Sequence, residues 1–187
     1  METNPQPRTA PVTSLPDILV VSRQRSVGYD HARLTAIVMA GLPMCLEVAR
    51  RLGGPLPDMK LVECTVVGRR RMAQVHREFL NVSGPTDVIT FPYGEILVCA
   101  PVAESRAAEF GHDVTTELAL YCIHGLLHLA GHDDVEADSA QRMAEEQERI
   151  LKAAARENAA PAAFRKAGRS RSSILRPLPS IYLKEMV

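Results

Sequence analysis

Residues 124–134 read HGLLHLAGHDD and combine three histidines, a glycine turn signal and two aspartates in one short run. His124 and His128 are four residues apart, so on a helix their imidazoles lie on the same face and can share one ion. Gly131 lets the chain turn back sharply after the helix, which brings the next side chains toward that ion. The segment is therefore a candidate metal site.

Spacing alone leaves two candidates for a third ligand, His132 and Asp134. Two imidazoles and a carboxylate suit one zinc ion with a fourth position open for water. Such an ion would lower the pKa of that water toward neutrality and polarise a phosphoryl or carbonyl oxygen. The residue types therefore predict hydrolytic chemistry.

The alternative is that the two histidines are hydrogen-bonded core residues, since an HxxxH spacing is not specific by itself. Nearly every residue from Leu118 to Ala130 is apolar, so inward-facing histidines would need partners. Gly125 in mid-helix costs about 1 kcal/mol relative to alanine, which indicates the close approach of another group. These features, with the acidic residues that follow, favour a metal.

Glu117 lies seven residues before His124 and shares its helix face. It is a candidate partner for a metal-bound histidine or a candidate general base. The simpler interpretation is an exposed glutamate in the first helical turn, where the helix dipole favours negative charge. The catalytic base stays unidentified.

Alternation and turn signals predict strands at residues 17–22 and 60–68 and a strand pair, DVITF and EILVC, around Pro92-Tyr93-Gly94. Helical periodicity predicts helices over 30–52, 69–80, 102–111, 113–131 and from Asp138 onward, with Pro43 as a kink or break in the first. Asp113 is the predicted N-cap of the histidine helix, and Asp138 with Gln141 is a predicted capping box. A helix that is apolar all round is usually buried at the centre of a fold.

The length of 187 residues suits one domain with tails. Composition predicts a disordered, proline-rich lead over residues 1–15, a domain over 16–155 and a basic, flexible tail over 156–187. The tail would add non-specific affinity for RNA through phosphate contacts, or would only solubilise the chain.

The formal net charge is zero, but a basic run at Arg69–Arg71 and a strongly acidic segment over 133–148 show that charge is uneven, so a nucleic-acid partner is not excluded. With 4% aromatic residues, an aromatic stacking platform for bases is not expected. The four cysteines form no CxxC pair and no signal peptide precedes them, so we expect reduced, buried thiols in a cytoplasmic protein. These are Cys45, Cys64, Cys99 and Cys122. No apolar run is long enough to span a bilayer, so we expect no membrane partner.

The histidine segment resembles the signature H-G-x-L-H-L-x-G-Y-D-H of the YbeY family of endoribonucleases. Upstream, PTDVITFPYGEILVC (85–99) is similar to the family's PTDVLSF stretch and the G-[DE]-I strand that follows it. Downstream, MAEEQERIL (143–151) is similar to the closing helix. The resemblance spans residues 17–152, and the long histidine motif is its most specific part.

This resemblance implies an α+β fold, in which a small mixed β-sheet packs with helices in one domain and a central HxxxH helix binds zinc. It implies a cytoplasmic, zinc-dependent, single-strand endoribonuclease that matures the 3′ end of small-subunit ribosomal RNA and takes part in ribosome quality control. The expected partners are ribosomal RNA and the small ribosomal subunit. The family register places Asp134 at the third histidine and His132 at the tyrosine, so the implied ligands of the single zinc ion are His124, His128 and Asp134.

One further position departs from the family pattern. Family members usually carry an arginine before the PTD stretch, and Leu80 occupies that position here. An arginine would stabilise phosphate charge in the transition state, which leucine cannot do. Arg69–Arg71 are candidates to replace it, and a solvated basic face is the simpler alternative.

Two other functions remain as alternatives. One is a ribosome-assembly binding protein with a structural zinc, which the leucine at position 80 favours. The other is a metallopeptidase, but the glutamate base of HExxH peptidases is replaced by Gly125. For a nuclease, attack by metal-activated water and attack by the RNA 2′-hydroxyl both remain open.

Overall fold

Five strands and five α-helices are present in residues 15–158 and 181–183, which are the residues that the computed structural model describes. The strands are β1 (Asp17–Ser22), β2 (Leu61–Val67), β3 (Val88–Thr90), β4 (Glu95–Cys99) and β5 (Ile181–Tyr182). The helices are α1 (His31–Leu52), α2 (Arg69–Leu80), α3 (Ala100–Phe110), α4 (Val114–Leu129) and α5 (Ala137–Glu157), with a 3₁₀ turn at Leu56–Asp58.

The strands form one mixed sheet in the order β1-β2-β4-β3-β5. β1, β2 and β4 run parallel to one another, whereas β3 pairs with β4 as an antiparallel hairpin. β5 pairs with the other edge of β3 in parallel, with Thr90 opposite Tyr182. The expected α+β fold, with a small mixed sheet in a single domain, is confirmed.

The two faces of the sheet are covered by different helices. α4 packs on β3 and β4 and also contacts α1, α3 and α5, so that it lies at the centre of the larger core. α2 covers the opposite face, where Met72 and Val75 pack with Ile89 and Phe91. Every residue from Glu117 to Leu129 is buried, which confirms the prediction of a central apolar helix.

Gly125 explains how α4 comes so close to the sheet. A Cβ atom at this position would lie 2.6 Å from Ile96 Cγ2 and 2.9 Å from Thr90 Oγ1. The group whose close approach the sequence indicated is therefore the sheet itself, and Gly125 is evidence for helix–sheet packing rather than for a metal.

Element boundaries agree with the predicted pattern to within two residues, and α3 and α5 both begin before their predicted first residues. Asp113 caps α4, with its carboxylate accepting the Thr116 N–H at 3.0 Å, as predicted. Pro43 lies inside α1 without ending it. The capping box at Asp138 is wrong, because α5 already begins at Ala137, after an N-cap, Glu136, that makes no side-chain cap bond. Helix ends fray and their boundaries vary by one or two residues, so a capping signal does not fix the first residue of a helix.

The C-terminal segment differs from the flexible tail that its composition predicts from residue 156. α5 runs to Glu157, Ile181 and Tyr182 pair with the edge of β3 as β5, and the Leu183 N–H donates to the Thr90 carbonyl. Residues 1–14, 159–180 and 184–187, which hold nearly all of the predicted lead and most of the predicted tail, lie outside the described residues.

All four cysteines are free and buried, as predicted. Burial raises the pKa of the Cys45 thiol, as expected for an unreactive core residue. α1, in contrast, is long and apolar enough to cross a membrane by length and composition, contrary to the expectation from the sequence. Half of its most apolar window is buried inside the fold, as in a core helix.

Candidate metal centre

The two histidines of α4 and Asp134 come together at the C-terminal end of that helix. His124 and His128 are 3% and 1% exposed, and their rings meet edge to face with centroids 4.6 Å apart. Asp134 Oδ2 lies 3.6 Å from His124 Nε2 and 3.7 Å from His128 Nε2. One carboxylate oxygen thus stands almost equidistant from two imidazole nitrogens.

A tight turn after α4 brings Asp134 back to the helix. Gly131 adopts φ 104°, and its N–H donates to the His128 carbonyl at 3.0 Å. The next N–H, of His132, donates to the Leu127 carbonyl at 3.0 Å. The positive φ is accessible to glycine at little cost, so the predicted reversal at Gly131 is confirmed.

Hydrogen bonds orient both rings with Nε2 toward Asp134. His124 Nδ1 lies 2.7 Å from Gln147 Oε1, an acceptor, so Nδ1 carries the proton. His128 Nδ1 lies 3.2 Å from the His132 carbonyl oxygen and carries its proton for the same reason. In neutral imidazoles the Nε2 lone pairs are then directed at the carboxylate, which is how metal-binding histidines are usually held.

His128 is held in its neutral form. Burial, followed by the nearby His124, lowers the pKa of His128 to about 3. A neutral imidazole offers a lone pair to a cation, whereas an imidazolium cannot.

The donor atoms fit a zinc ion. They lie within 4.8 Å of one another. The nitrogen–oxygen separations of 3.6 and 3.7 Å are too long for hydrogen bonds. They are close to the separation of about 3.4 Å between two ligands of a tetrahedral ion at about 2.1 Å. The cluster of His124, His128 and Asp134 can therefore hold a metal ion.

Comparison with known proteins identifies the family to which the chain belongs. The family model described as endoribonuclease YbeY matches residues 42–155, which is more than half of the chain and includes α4 and the turn after it. The chain belongs to the YbeY endoribonuclease family. Membership in the YbeY family makes it a nuclease, an enzyme of the hydrolase class, with RNA as its substrate class.

Individual members of the YbeY family are similar over most of their length. The endoribonuclease YbeY of Sulfurimonas denitrificans is 37% identical over 119 residues, covering 59% of this chain and 84% of that protein. The one from Elusimicrobium minutum is 33% identical over 134 residues, covering 65% and 90%. A solution structure from Thermotoga maritima matches at 24% identity with a TM-score of 0.52, covering 80% of this chain and 99% of that one. This last likeness supports the fold alone.

His132 contributes its backbone carbonyl, and not its imidazole, to the candidate site. Its backbone carbonyl accepts from His128, but its imidazole is outside the donor cluster of the described residues. The side chain lines a cavity of ≈ 460 Å³ next to the turn, together with Arg51, Arg142 and Glu146. The structure therefore groups Asp134, and not His132, with the two histidines of α4, as the YbeY family register implies.

Glu117 is fully buried, so the interpretation as an exposed first-turn glutamate is wrong. Its carboxylate Oε2 lies 3.2 Å from Nε2 of His112, which precedes the start of α4. Close packing of α4 against α3 encloses this helical turn, which sequence periodicity does not reveal. The observed geometry pairs Glu117 with His112.

Two residues near the site are not found by sequence patterns. Helical periodicity places Gln147 on the apolar stripe of α5, but its amide contacts His124. Composition places Tyr182 in the tail, but its ring stacks on His128 with centroids 5.1 Å apart and an interplanar angle of 14°. The only sequence signal for Gln147 is a glutamine among buried apolar positions of α5. Tyr182 has no local signal.

The basic run on α2 does not converge on one point. Arg71 and Arg23 line a cleft on the sheet face that α2 covers. Arg70 and Arg77 line a second cleft beside the Ser83–Gly84 turn. Leu80, at the arginine position of the YbeY family, is half-buried at the end of α2. The run thus offers separate exposed cations rather than a single replacement for the family's arginine.

Proposed function

We propose that this chain is a zinc-dependent, single-strand endoribonuclease that acts in the cytoplasm on the 3′ end of small-subunit ribosomal RNA and in ribosome quality control. The proposal rests on the convergence of two buried imidazoles, each with its Nδ1 in a hydrogen bond, and one carboxylate oxygen, in a chain of the YbeY endoribonuclease family. The small ribosomal subunit is the proposed partner.

In this proposal His124, His128 and Asp134 hold one zinc ion. A zinc ion supplies Lewis-acid chemistry at a phosphoryl oxygen when bound. Gln147 and the His132 carbonyl keep the Nδ1 protons in place, so that both Nε2 lone pairs face the same point. Asp134, which is 16% exposed, is the most accessible of the three, so substrate would approach from its side.

The cationic surface of α2 supports an RNA substrate. Arg69, Arg70, Arg71 and Arg77 are exposed and make no ion pair among the described residues. Arginines without an acidic partner can contact phosphates without first breaking a salt bridge. Binding through phosphates is independent of sequence, so site choice would come from elsewhere.

Metal analysis of purified variants tests the ligand set. We expect the wild type to hold one equivalent of zinc, Asp134→Ala and His124→Ala to lose it, and His132→Ala to keep most of it, because the His132 contribution is a backbone carbonyl. Circular dichroism checks that each variant is folded. Zinc lost from His132→Ala but kept in Asp134→Ala would reverse the assignment.

RNA cleavage separates the proposed enzyme from its main alternative. Leu80 at the family's arginine position is the observation that favours a ribosome-assembly protein with a structural zinc. We expect the wild type to cut a single-stranded 3′ fragment of ribosomal RNA and not the annealed duplex, and folded His124→Ala to be inactive. A zinc-loaded wild type that binds the fragment without cutting it would support the alternative.

Product ends distinguish the two chemistries left open. A 2′,3′-cyclic phosphate on the upstream fragment identifies attack by the RNA 2′-hydroxyl, whereas a 3′-hydroxyl there with a 5′-phosphate on the downstream fragment identifies attack by water. A parallel assay with a peptide substrate addresses the metallopeptidase, for which Gly125 removes the usual base.

A further inference from the structure

Tyr182 brings an aromatic ring from the C-terminal end of the chain onto the candidate metal centre. Its ring lies nearly parallel to that of His128, at 14°, with the centroids 5.1 Å apart. Tyr182 is half-buried and packs against the core that contains α4. The face of one candidate ligand is therefore covered by a residue 54 positions away in sequence.

Strand pairing holds this tyrosine in place. Thr90 of β3 is opposite Tyr182, and the Leu183 N–H donates to the Thr90 carbonyl at 3.1 Å. Leu183 packs on the other face of the sheet, in the smaller core with Ile89 and Phe91. Side chains alternate between the faces of a strand, so anchoring Leu183 on one face directs Tyr182 to the side of the histidines.

β5 lies outside the part of the chain that the family model covers, since that match ends at residue 155. The contact is thus made by a segment C-terminal to the family match. It has a physical consequence for His128, whose χ2 torsion has a broad energy profile and whose hydrogen bond to the His132 carbonyl, at 3.2 Å, is long. A ring stacked on the imidazole restricts that rotation.

We propose that Tyr182 is a positioning residue, which fixes the plane of the His128 imidazole so that its Nε2 stays directed at the point shared with His124 and Asp134. The inference rests on the proposed metal site. Ordering the ring before metal binding reduces the conformational freedom lost on binding, and hence strengthens binding. The stacking is made by the aromatic ring, which phenylalanine also has, so phenylalanine should replace tyrosine.

The test is metal affinity in the full-length chain, measured by competition with a chromophoric chelator for zinc and by the visible absorption of bound cobalt(II). We expect Tyr182→Ala to bind zinc about three- to tenfold more weakly, in line with the worth of one aromatic pair. Tyr182→Phe should match the wild type in both measurements. Tyr29→Ala, which removes another tyrosine beside a histidine, His31, is the matched control and should change neither.

An NMR measurement detects the stacking without metal. The tyrosine ring current should move the His128 ring protons upfield in metal-free wild type, and Tyr182→Ala should abolish this shift. If the alanine variant is unfolded by circular dichroism, Tyr182→Leu, which keeps an apolar side chain against the core, takes its place.

The outcomes separate this inference from the function on which it rests. A wild type that binds neither zinc nor cobalt refutes the metal site and the positioning role with it. A wild type that binds metal, with Tyr182→Ala binding equally or more tightly, refutes the positioning role alone. Weaker binding by Tyr182→Ala that Tyr182→Phe restores supports it.

Discussion

At the scale of single residues, the candidate site consists of atoms that could hold one metal ion and of atoms that orient them. His124 and His128 direct Nε2 toward Asp134 because Gln147 and the His132 carbonyl accept their Nδ1 protons in hydrogen bonds. The orienting groups come from a different helix and from the backbone. A change in either would disturb the donors without removing one.

Gln147→Leu is the prediction at this scale. It keeps the approximate volume but removes the acceptor for His124 Nδ1, so we expect zinc affinity to fall about 10- to 100-fold. Competition titration measures the change, and thermal unfolding of the metal-free protein checks the fold. Gln141→Leu is the matched control, because Gln141 is an exposed residue of the same helix that bonds only Glu145 among the described residues. Equal affinities for the two variants would contradict the orienting role.

At the scale of elements, the position of α4 against the sheet determines where the histidines lie. Gly125 is the point of closest approach, beside Ile96 of β4 and Thr90 of β3. Thr90 also pairs with β5, which carries Tyr182. Helix, hairpin and C-terminal strand therefore meet within a single turn of the candidate ligands.

Gly125→Ala is the prediction at this scale. Alanine favours the helix by about 1 kcal/mol, but its Cβ would overlap side chains of both strands, at a cost of about 1–3 kcal/mol. We expect a net loss of about 1 kcal/mol in the free energy of unfolding, measured by urea denaturation, together with weaker zinc binding. Gly28→Ala is the control, since a Cβ there meets nothing within 4 Å, and it should leave both quantities nearly unchanged. A Gly125→Ala protein more stable than the wild type would contradict this prediction, because it would show that the sheet accommodates the added methyl group without a loss of stability.

At the scale of the whole molecule, opposite charges are segregated in a chain with a formal net charge of zero. Acidic residues follow the turn at Gly131 and continue into α5. In contrast, α2 carries arginines that form no ion pair within the described part of the chain. More cationic residues follow Arg165, beyond the described helices. RNA would thus be attracted by the cationic residues of α2 and of the segment after Arg165 rather than by the acidic segment 133–148.

Neutralising the C-terminal cations is the prediction at this scale. The variant changes Arg165, Lys166, Arg169 and Arg171 to glutamine, which keeps the chain length and leaves Tyr182 in place. We expect weaker binding of single-stranded RNA and a shallower dependence of log K on log salt, by about 0.7 for each phosphate that the variant no longer neutralises. Zinc content should stay the same. An unchanged affinity and salt slope would indicate that the tail only solubilises the chain.

The sequence by itself determined the features that depend on local geometry. Residues four apart share a helix face, and a glycine permits a positive φ, so HGLLHLAGHDD was sufficient to propose a metal site and to limit the third ligand to two candidates. Alternation and helical periodicity likewise predicted the strands and helices up to residue 152. The starts of α3 and α5 were the exceptions, because helix boundaries shift by one or two residues.

Only the tertiary structure decided what surrounds the site. The order of the strands, the burial of Glu117, the bond from His124 to Gln147 and the ring of Tyr182 on His128 all join residues that no local pattern relates. Such contacts depend on how whole faces of helices and sheet pack, and packing is set by the shape of every neighbour at once. The three donors were therefore visible in one segment of sequence, whereas the groups that aim them became visible only in the fold.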